Sequence, residues 1–301
     1  MSSYNKVAVL GKGLLGAAVL EELITAGFNV TLLSRDPSKV KDLPAGVKTA
    51  QVDYSSEDSV VEALRGQDVA VATFGSEAII TQDKIIDAAI KAGVKRYIPA
   101  DWGSVTTDPK AKTLPFNYPV VKIQDYLKKK AEEGALEWTI FSVGAFLEYV
   151  LNLPFLIDLR SKSVQLYDEG QHTFSSTSVH SVGKAIAGAL KKPEATKNRN
   201  LLIHDIVLSQ AKVLALAKKH SPPGTQWTET RIDAAKEFEQ SLENLKKDPT
   251  DFHLVLPLLK ATILGGNYRA AFTDVDNELV GLPLLTDEEF ERKLESTLRN
   301  L

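Results

Sequence analysis

The segment Val7-Ala8-Val9-Leu10-Gly11-Lys12-Gly13-Leu14-Leu15-Gly16 decides the fold of this chain of 301 residues. It joins a strand-like apolar run to the glycine pattern G-x-G-x-x-G, and Leu14–Ala26 then carries apolar residues at helical spacing. In such a unit the first glycine makes a tight turn, the second lets the backbone approach a pyrophosphate, and the third lets helix and strand pack closely. The helix N-terminus then faces the phosphates. The segment therefore predicts a dinucleotide site.

Short apolar runs alternate with helical patterns through the rest of the first half. Strands separated by helices form a parallel sheet with right-handed crossovers, and such a sheet binds ligands at the carboxyl ends of its strands. The predicted fold class is α/β, a Rossmann-type doubly wound parallel sheet with a smaller α/β C-terminal substrate-binding part. The predicted strands are Lys6–Leu10, Val30–Leu33, Thr49–Val52, Asp68–Thr73, Lys95–Ile98 and Glu137–Ser142. The later helices are one that Ser56 precedes and that runs through Leu64, then Ile79–Ala92 and Pro119–Glu133.

The pattern weakens in the second half of the chain. No linker separates the halves, so we expect an NADP-binding domain at 1–145, a substrate-binding part at 146–301, and a soft boundary that lets segments around 179–205 return to the first domain. The predicted strands are Ser163–Tyr167, Thr173–Ser176 and Asn200–Ile203, and the helices are Val179–Lys191 and about 208–219, 231–246, 252–264 and 287–299.

Composition excludes several classes of function. A formal net charge of −3 gives no electrostatic reason to bind nucleic acid or an anionic membrane. There is no cysteine, which excludes disulfides and thiolate chemistry, and no two histidines have the helical spacing of a metal site. No run approaches the ~20 apolar residues of a membrane span. We therefore expect a cytoplasmic monomer or homodimer that binds a small-molecule substrate and no metal.

The end of the second strand predicts which nucleotide is bound. Ser34-Arg35 stands about 20 residues after the glycines, where NAD-binding proteins usually carry a carboxylate for the ribose 2′-hydroxyl. A serine does not repel a phosphate and an arginine can bind one through two hydrogen bonds, so NADPH is the predicted cofactor. Lys12 and Lys39 would add positive charge. In the alternative interpretation the arginine is solvated, Lys39 pairs with Asp36 or Asp42, and Asp36 serves as a displaced acid.

Two further segments lie at the ends of strands, at the edge of the sheet where the cofactor would lie. Thr73-Phe74-Gly75-Ser76 ends the fourth strand, and Pro99-Ala100-Asp101-Trp102-Gly103 ends the fifth, near the expected nicotinamide. Trp102, Phe146 and Tyr149 are candidate substrate contacts, or else ordinary packing residues. The predicted cofactor-binding residues are Gly11, Lys12, Gly13, Leu14, Leu15, Gly16, Ser34, Arg35, Lys39, Phe74, Gly75, Ser76, Pro99, Ala100, Asp101 and Lys122.

Tyr118-Pro119-Val120-Val121-Lys122 fits the pattern Y-x-x-x-K, which places a phenol and an ammonium one helical turn apart. Pro119 suits the first turn of a helix, so Lys122 would overhang the carboxyl edge of the sheet. Lys122 and Tyr118 are therefore the predicted catalytic residues. The alternatives are an exposed surface lysine and a tyrosine in the pocket wall.

With these motifs the chain resembles the NmrA-like and isoflavone-reductase-like family of atypical short-chain dehydrogenases. It looks closer to the fungal members of that family than to the plant enzymes. The resemblance covers about the first 190 residues well. The stretches that carry it are the glycine loop, Ser34-Arg35-Asp36-Pro37-Ser38-Lys39, Ile85–Gly103, Val143-Gly144-Ala145-Phe146 and Ser178–Leu190.

The resemblance implies a Rossmann domain, NADPH, and a small C-terminal domain that closes over the substrate. Lys122 matches the lysine that the plant reductases use in the helix after the fifth strand, where it would deprotonate a phenol or stabilise an enolate. Ala100-Asp101-Trp102-Gly103 departs from the plant Ser-Glu-Phe-Gly, so the plant substrates do not carry over.

Three functions are compatible with these patterns. The first is an NADPH-dependent oxidoreductase that transfers hydride to a small, mostly apolar aromatic or polyketide-like substrate. The second is a non-catalytic NmrA-like regulator that senses a dinucleotide and binds a protein partner. The third is a redox-neutral reaction that uses the cofactor only as structure or transiently.

Overall fold

A computed structural model describes residues 4–104, 106–247 and 251–301 of the chain, without the side chains of 76–78 and 252. The strands are β1 Lys6–Leu10, β2 Asn29–Ser34, β3 Lys48–Gln51, β4 Val69–Ala72, β5 Arg96–Ile98, β6 Glu137–Ser142, β7 Ala145–Phe146, β8 Ser163–Tyr167, β9 Thr173–Thr177, β10 Arg199–Leu202, β11 Ile206–Ser209 and β12 Thr228–Ile232. The helices are α1 Leu14–Thr25, α2 Glu57–Leu64, α3 Gln82–Lys91, α4 Tyr118–Glu132, α5 Leu147–Asn152, α6 Val179–Lys191, α7 Pro193–Thr196, α8 Gln210–Lys219, α9 Ala234–Leu245, α10 Phe252–Leu264, α11 Asn277–Val280 and α12 Asp287–Arg299.

Seven of these strands form one sheet in the order β10-β6-β5-β4-β1-β2-β3, and every neighbouring pair in it is parallel. The strand order reverses between β1 and β4, which creates a crevice at the carboxyl edge of the sheet. The predicted doubly wound, Rossmann-type α/β fold is confirmed.

Helices cover both faces of this sheet because its strands are apolar on both sides. Val7 and Val9 of β1 belong to the core formed with α1 and α6. Ala8 and Leu10 belong to the core formed with α2, α3 and α4. Alternate residues of one short strand therefore anchor the two helical layers, and the strand that feeds the glycine loop is fully enclosed.

The second half of the chain adds a separate apolar core to this layered unit. Phe174, Leu208 and Phe290 are among its most buried residues. Around that core lie a three-stranded sheet in the order β11-β9-β7 and the parallel pair β12-β8. Helices α5, α8, α9, α10 and α12 contribute the remaining apolar side chains.

Several element boundaries differ from those predicted. The predicted helix at 208–219 begins at Gln210, because Ile206–Ser209 pairs antiparallel with β9. The predicted helix at 231–246 begins at Ala234, because Thr228–Ile232 pairs with β8 and Asp233 caps the helix through the Lys236 amide. The predicted helix Ile79–Ala92 is a 3-10 turn to Thr81 followed by α3. In each case strand pairing or a local turn outweighs helical periodicity.

Part of the second half joins the first sheet. Strand β10 pairs with β6, and α6 packs on α1 so closely that a Cβ on Gly183 would lie 3.1 Å from the Ala18 carbonyl oxygen. The division into 1–145 and 146–301 stays a prediction. Within the described ranges, no helix has the length and apolarity needed to cross a bilayer. Cytoplasmic location and oligomeric state also stay predictions.

Candidate functional site

The glycine loop between β1 and α1 has the geometry that the sequence pattern requires. Gly11 has φ of 110°, a value that side chains disfavour. A Cβ on Gly16 would lie 2.2 Å from the Gly11 carbonyl oxygen, so only glycine lets α1 pack against the loop. A Cβ on Gly13 would meet no atom within 4 Å among the described residues. Gly13 therefore leaves free space where the loop opens.

Helix α1 begins without a side-chain cap among the described residues, since Gly13 is its N-cap. Its first N–H groups are open to an anion, and the positive end of the helix dipole lies there. Leu15 is buried in the core, whereas Leu14 is about half exposed. These two predicted cofactor-binding residues therefore contribute backbone groups and packing rather than polar side chains.

The loop opens into a groove of about 640 Å³, here called the nucleotide groove. The hydroxyl of Tyr54 lies in its wall with its oxygen buried and without a hydrogen-bond partner among the described residues. Burial raises the pKa of Tyr54, so this hydroxyl remains a donor. The groove is lined by Gly11, Lys12, Gly13, Leu32, Leu33, Ser34, Arg35, Tyr54, Thr73, Phe74, Gly75, Thr81 and Ile85.

These features fit a dinucleotide. The open space at Gly13 accepts a pyrophosphate next to the α1 N–H groups. Tyr54 offers an unused buried donor, and its ring meets Phe74 edge to face at 5.7 Å between centroids. Sequence reasoning missed Tyr54, although it follows β3 at the carboxyl edge, where position alone could have identified it.

A second cleft, here called the Arg35 cleft, continues the groove past the end of β2 and shares Lys12, Ser34 and Arg35 with it. The carboxylate of Asp36 lies in this cleft but is already bound, at 2.6 Å by the Ser38 hydroxyl and at 3.1 Å by the Lys39 ammonium. These contacts lower the pKa of Asp36. Arg35 is exposed and has no ion pair within the described ranges. The Arg35 cleft therefore presents a guanidinium, the carboxylate of Asp36 neutralised by its partners, and the exposed side chain of Asp42.

The predicted lysines lie in the same cleft. The ammonium of Lys12 binds the carbonyl oxygen of Lys41, which folds the side chain over the cleft. Lys39 also lines the cleft, and its pairing with Asp36 agrees with the alternative interpretation of that residue. Lys39 is exposed to solvent and Lys12 is partly exposed.

The end of β4 closes the other side of the nucleotide groove. Thr73 donates from its hydroxyl to the Gly11 carbonyl oxygen at 2.8 Å, which ties the end of β4 to the glycine loop. Phe74 and Gly75 line the groove as predicted. The side chain of Ser76 lies outside the described part of the chain.

The segment after β5 reaches from the groove toward the second half of the chain. The Ala100 amide donates to the side chain of Gln82 at 2.8 Å. The Trp102 indole donates to the Ala72 carbonyl oxygen at 3.0 Å, and its ring stacks on Phe141. Trp102 is therefore fixed at the carboxyl edge between β4 and β6.

Asp101 lies in a buried polar cluster beside Trp102. Its carboxylate oxygens accept from the Thr106 hydroxyl at 2.9 and 2.8 Å, and one of them also accepts from the Gln124 amide at 2.8 Å. Gln124 is fully buried on α4. Burial raises the pKa of Asp101, and the two hydrogen-bond donors offset part of that rise. Sequence reasoning missed Thr106 and Gln124, because only the fold brings them to Asp101.

Two adjoining cavities lie on the substrate side of this segment. The Asp101 cavity, of about 220 Å³, is lined by Asp101, Thr106, Asn117, Val120 and residues of α10, among others. The Phe146 cavity, of about 460 Å³, is lined by Phe146, Tyr149, Leu153, Phe155 and further apolar residues. Trp102, Gly103, Ser104, Leu259 and Ile263 line both. The predicted substrate residues Trp102, Phe146 and Tyr149 therefore lie together on one apolar surface.

The predicted catalytic residues are not in these cavities. Lys122 is 63% exposed and its ammonium binds the Asp83 carboxylate at 3.0 Å. Tyr118 is the first residue of α4 and is 57% exposed. Neither lines the groove, the Arg35 cleft or either cavity in the described part of the chain. Lys122 lies off the buried face of α4, which carries Ile123, Gln124 and Leu127, and its ammonium is paired with Asp83. Its proton-transfer role stays a prediction.

Comparisons with known proteins agree with this geometry. Residues 11–193 match the family described as NAD(P)H-binding. The chain is 36% identical over 270 residues to the oxidoreductase aprR of Aspergillus flavus, covering 87% of this chain and 88% of that protein. It is 26% identical to isoflavone reductase homolog P3 of Arabidopsis thaliana, covering 87% and 88%. The structure of leucoanthocyanidin reductase from Vitis vinifera superposes with a TM-score of 0.77 at 16% identity over 97% of this chain and all of the other, a likeness in fold.

Proposed function

The chain belongs to the NAD(P)H-binding family, among its NmrA-like and isoflavone reductase-like members, and from this premise we propose that it is an NADPH-dependent reductase of a small, mostly apolar aromatic or polyketide-like molecule. One observation carries the proposal. Two adjoining apolar cavities share Trp102 and Gly103, and the Trp102 indole is bonded to the Ala72 carbonyl oxygen, next to the Thr73–Gly75 wall of the nucleotide groove at the carboxyl edge of the sheet. Bound NADPH would supply a hydride at this junction.

The preference for NADPH over NADH rests on the Arg35 cleft. A 2′-phosphate brings about two negative charges to the place where an NAD site offers a carboxylate. Here the carboxylate that directly follows Ser34-Arg35, Asp36, is bound by Ser38 and Lys39. Arg35, unpaired within the described ranges, would bind the phosphate, with Lys12 and Lys39 adding charge.

The substrate class rests on the lining of the cavities. None of the described residues that line the Phe146 cavity is charged, and aromatic rings of Phe146, Tyr149 and Phe155 form much of its wall. The charged residues of the Asp101 cavity are Asp101, Asp108 and Arg269. A pocket with apolar walls and few polar groups favours a ligand with one polar end and an aromatic or polyketide-like body.

The proposal is tested first by calorimetry with NADPH and NADH, and then by NADPH oxidation in the presence of aromatic ketones, enones and benzylic ethers. We expect NADPH to bind at least tenfold more tightly than NADH, and at least one of the three substrate classes to be reduced. Phe146→Ser is expected to raise KM without changing NADPH affinity. Folded protein that takes up neither nucleotide would contradict the proposal.

The position of Lys122 favours one second candidate, a dinucleotide-sensing regulator without catalysis. Such a protein needs no base in α4, and Lys122 is bound to Asp83 outside the cavities. The nucleotide titration and the NADPH oxidation assay distinguish the two candidates. A regulator binds NADPH but oxidises none of it with any substrate, and its affinity for a protein partner changes with the nucleotide.

A further inference from the structure

We propose that Asp101 is the catalytic residue that gives a proton to the substrate, and that Thr106 and Gln124 are positioning residues that hold its carboxyl group. The inference rests on the proposed reductase function and deepens it. It concerns a residue that sequence reasoning placed only among the cofactor contacts.

Asp101 lies where cofactor and substrate must meet. It is three residues after β5 and is flanked by Ala100 and Trp102, which also line the Asp101 cavity. The Trp102 indole is bonded to the Ala72 carbonyl at the end of β4, next to the Thr73–Gly75 wall of the nucleotide groove. Asp101 therefore lines the cavity next to the residue whose indole is bonded to the end of β4.

The contacts of Asp101 fix its orientation. Thr106 donates to both carboxylate oxygens at 2.9 and 2.8 Å, and Gln124 donates to Oδ2 at 2.8 Å. The Gln124 amide also donates to the Thr106 hydroxyl oxygen at 2.9 Å, which closes a ring of three polar side chains. Asp101 is 5% exposed and Gln124 is fully buried. The carboxyl group is therefore held in one position while it still lines the cavity.

The surroundings of Asp101 lack a compensating cation. No ion pair with Asp101 occurs within residues 4–104, 106–247 and 251–301, and its partners are neutral donors. Asp108 and Arg269 are the charged groups that share its cavity. Asp108 is partly exposed to solvent and Arg269 is exposed. Burial raises the pKa of Asp101. A carboxyl group in this setting keeps its proton to a higher pH than an ordinary aspartate.

Other proton donors in the cavities are less well placed. Asp108 accepts from the amides of Lys110 and Ala111 and so caps a turn. Tyr149 is 41% exposed and meets the Phe146 ring edge to face. Tyr268 has the Lys110 ammonium over its ring at 4.6 Å. Asp101 is the buried donor at the strand end.

The step balances as a two-electron reduction. Hydride from NADPH bonds to the electron-poor carbon of the substrate, the C=O π bond breaks, and its electron pair moves to oxygen. The Asp101 O–H bond breaks and its proton bonds to that oxygen, which yields an alcohol and NADP⁺. For an enone the hydride bonds to the β-carbon and the proton is taken up by the enolate. The Asp101 carboxylate is then reprotonated from solvent through the open cavity.

The first test replaces Asp101 with an isosteric group that cannot act as an acid. Asp101→Asn is compared with Asp125→Asn, an exposed control on the other side of α4, using para-nitrobenzaldehyde and the best substrate of the screen as probes. We expect turnover to fall by about 10²–10⁴-fold in Asp101→Asn, with NADPH affinity within about threefold of wild type. Asp125→Asn should match wild type. Turnover of Asp101→Asn within threefold of wild type would overturn the inference.

The second test needs no substrate. Infrared spectra of the whole protein should contain a carbonyl stretch of a protonated carboxyl group at about pH 6, where an ordinary aspartate with a pKa of about 3.9 is ionised. The band should be weaker in Asp101→Asn than in wild type and unchanged in Asp125→Asn, and any remaining intensity in Asp101→Asn is assigned to Glu148, whose pKa burial also raises. A band of equal intensity in wild type and Asp101→Asn, or no band in wild type, would overturn the inference.

The third test separates positioning from mere packing. Thr106→Val keeps the shape but removes a hydrogen bond to the carboxylate, so the pKa of Asp101 should rise further. Activity that needs the protonated acid declines as pH rises through this pKa, so the alkaline limb of the rate profile should move to higher pH. An unmoved limb would overturn the positioning role. Wild-type protein that fails to bind NADPH would overturn the proposed function as well, whereas the outcomes above leave it intact.

Discussion

The ammonium of Lys122 lies 3.0 Å from the carboxylate of Asp83, and this pair joins the N-terminal part of α4 to the first turn of α3. The pair lies beside the groove rather than in it, since Ile85 lines the groove and Asp83 does not. The residue that resembles the plant catalytic lysine is therefore held away from the apolar cavities in this chain.

We expect Lys122→Ala to leave turnover and NADPH affinity within about threefold of wild type, because an exposed ion pair contributes only ~0–1 kcal/mol and the ammonium reaches no cavity. The measurement is steady-state kinetics together with calorimetric titration of NADPH. Asp83→Asn, which breaks the same pair from the other side, is the matched control. A fall in turnover of more than a hundredfold in Lys122→Ala alone would establish the predicted catalytic role.

Arg35→Ala should weaken NADPH binding by roughly 10–100-fold and leave NADH binding almost unchanged, because a hydrogen bond to a charged group contributes about 1.5–3 kcal/mol. The loss should shrink at high salt. Arg65→Ala is the control, since Arg65 is an exposed arginine that pairs with Glu62 on α2. Equal losses for the two nucleotides would show that Arg35 does not read the 2′-phosphate.

Gly16→Ala and Gly13→Ala should separate folding from binding. The added methyl group at Gly16 would lie 2.2 Å from the Gly11 carbonyl oxygen. We therefore expect Gly16→Ala to lose about 1–3 kcal/mol of unfolding free energy and to lose nucleotide binding. At Gly13 the methyl group meets open space in the groove. Gly13→Ala should therefore keep wild-type stability in urea and bind NADPH more weakly. Equal stability of the two variants would contradict the close-packing argument.

Arg96→Met should lower the unfolding free energy by about 3 kcal/mol, because it leaves the Glu137 carboxylate without its buried partner. Arg96 is fully buried, donates to Glu137 at 2.6 Å and also holds the Pro193 carbonyl oxygen. The figure is at the low end of the usual range because Glu137 is 32% exposed. Lys95→Ala, which breaks the neighbouring exposed pair with Asp68, should cost less than about 1 kcal/mol.

The first half of the fold could be predicted because its signals are local. The run Val7–Leu10, the glycines and the helical spacing after Leu14 each depend on neighbours in sequence. Strands β11 and β12 were not predicted, because they depend on pairing with strands that are distant in sequence. Four residues of β12 are exposed, so Thr228–Ile232 has no apolar alternation to detect. Its strand state comes from pairing with β8, more than 60 residues away.

The residues of the candidate site could likewise be predicted only in part. Arg35 and the glycine loop could be predicted because the βαβ unit fixes where they lie. The ring of Asp101, Thr106 and Gln124 could not, because a buried glutamine on the apolar face of α4 is explained only by partners from a distant loop. Tyr118 and Lys122 do lie one turn apart on α4, but this spacing does not specify which face of the helix packs against the sheet.

The return of α6 and β10 to the nucleotide sheet has a consequence for protein engineering. A hybrid made by one crossover near residue 145 would pair the strands of one parent with the covering helix and edge strand of another, and Gly183 and Ala18 would come from different parents. Grafting a relative's substrate specificity onto this chain therefore requires three breakpoints, near residues 145, 178 and 202. The stretch 179–202 should stay with the N-terminal parent, while the flanking stretches 146–178 and 203–301 are exchanged together.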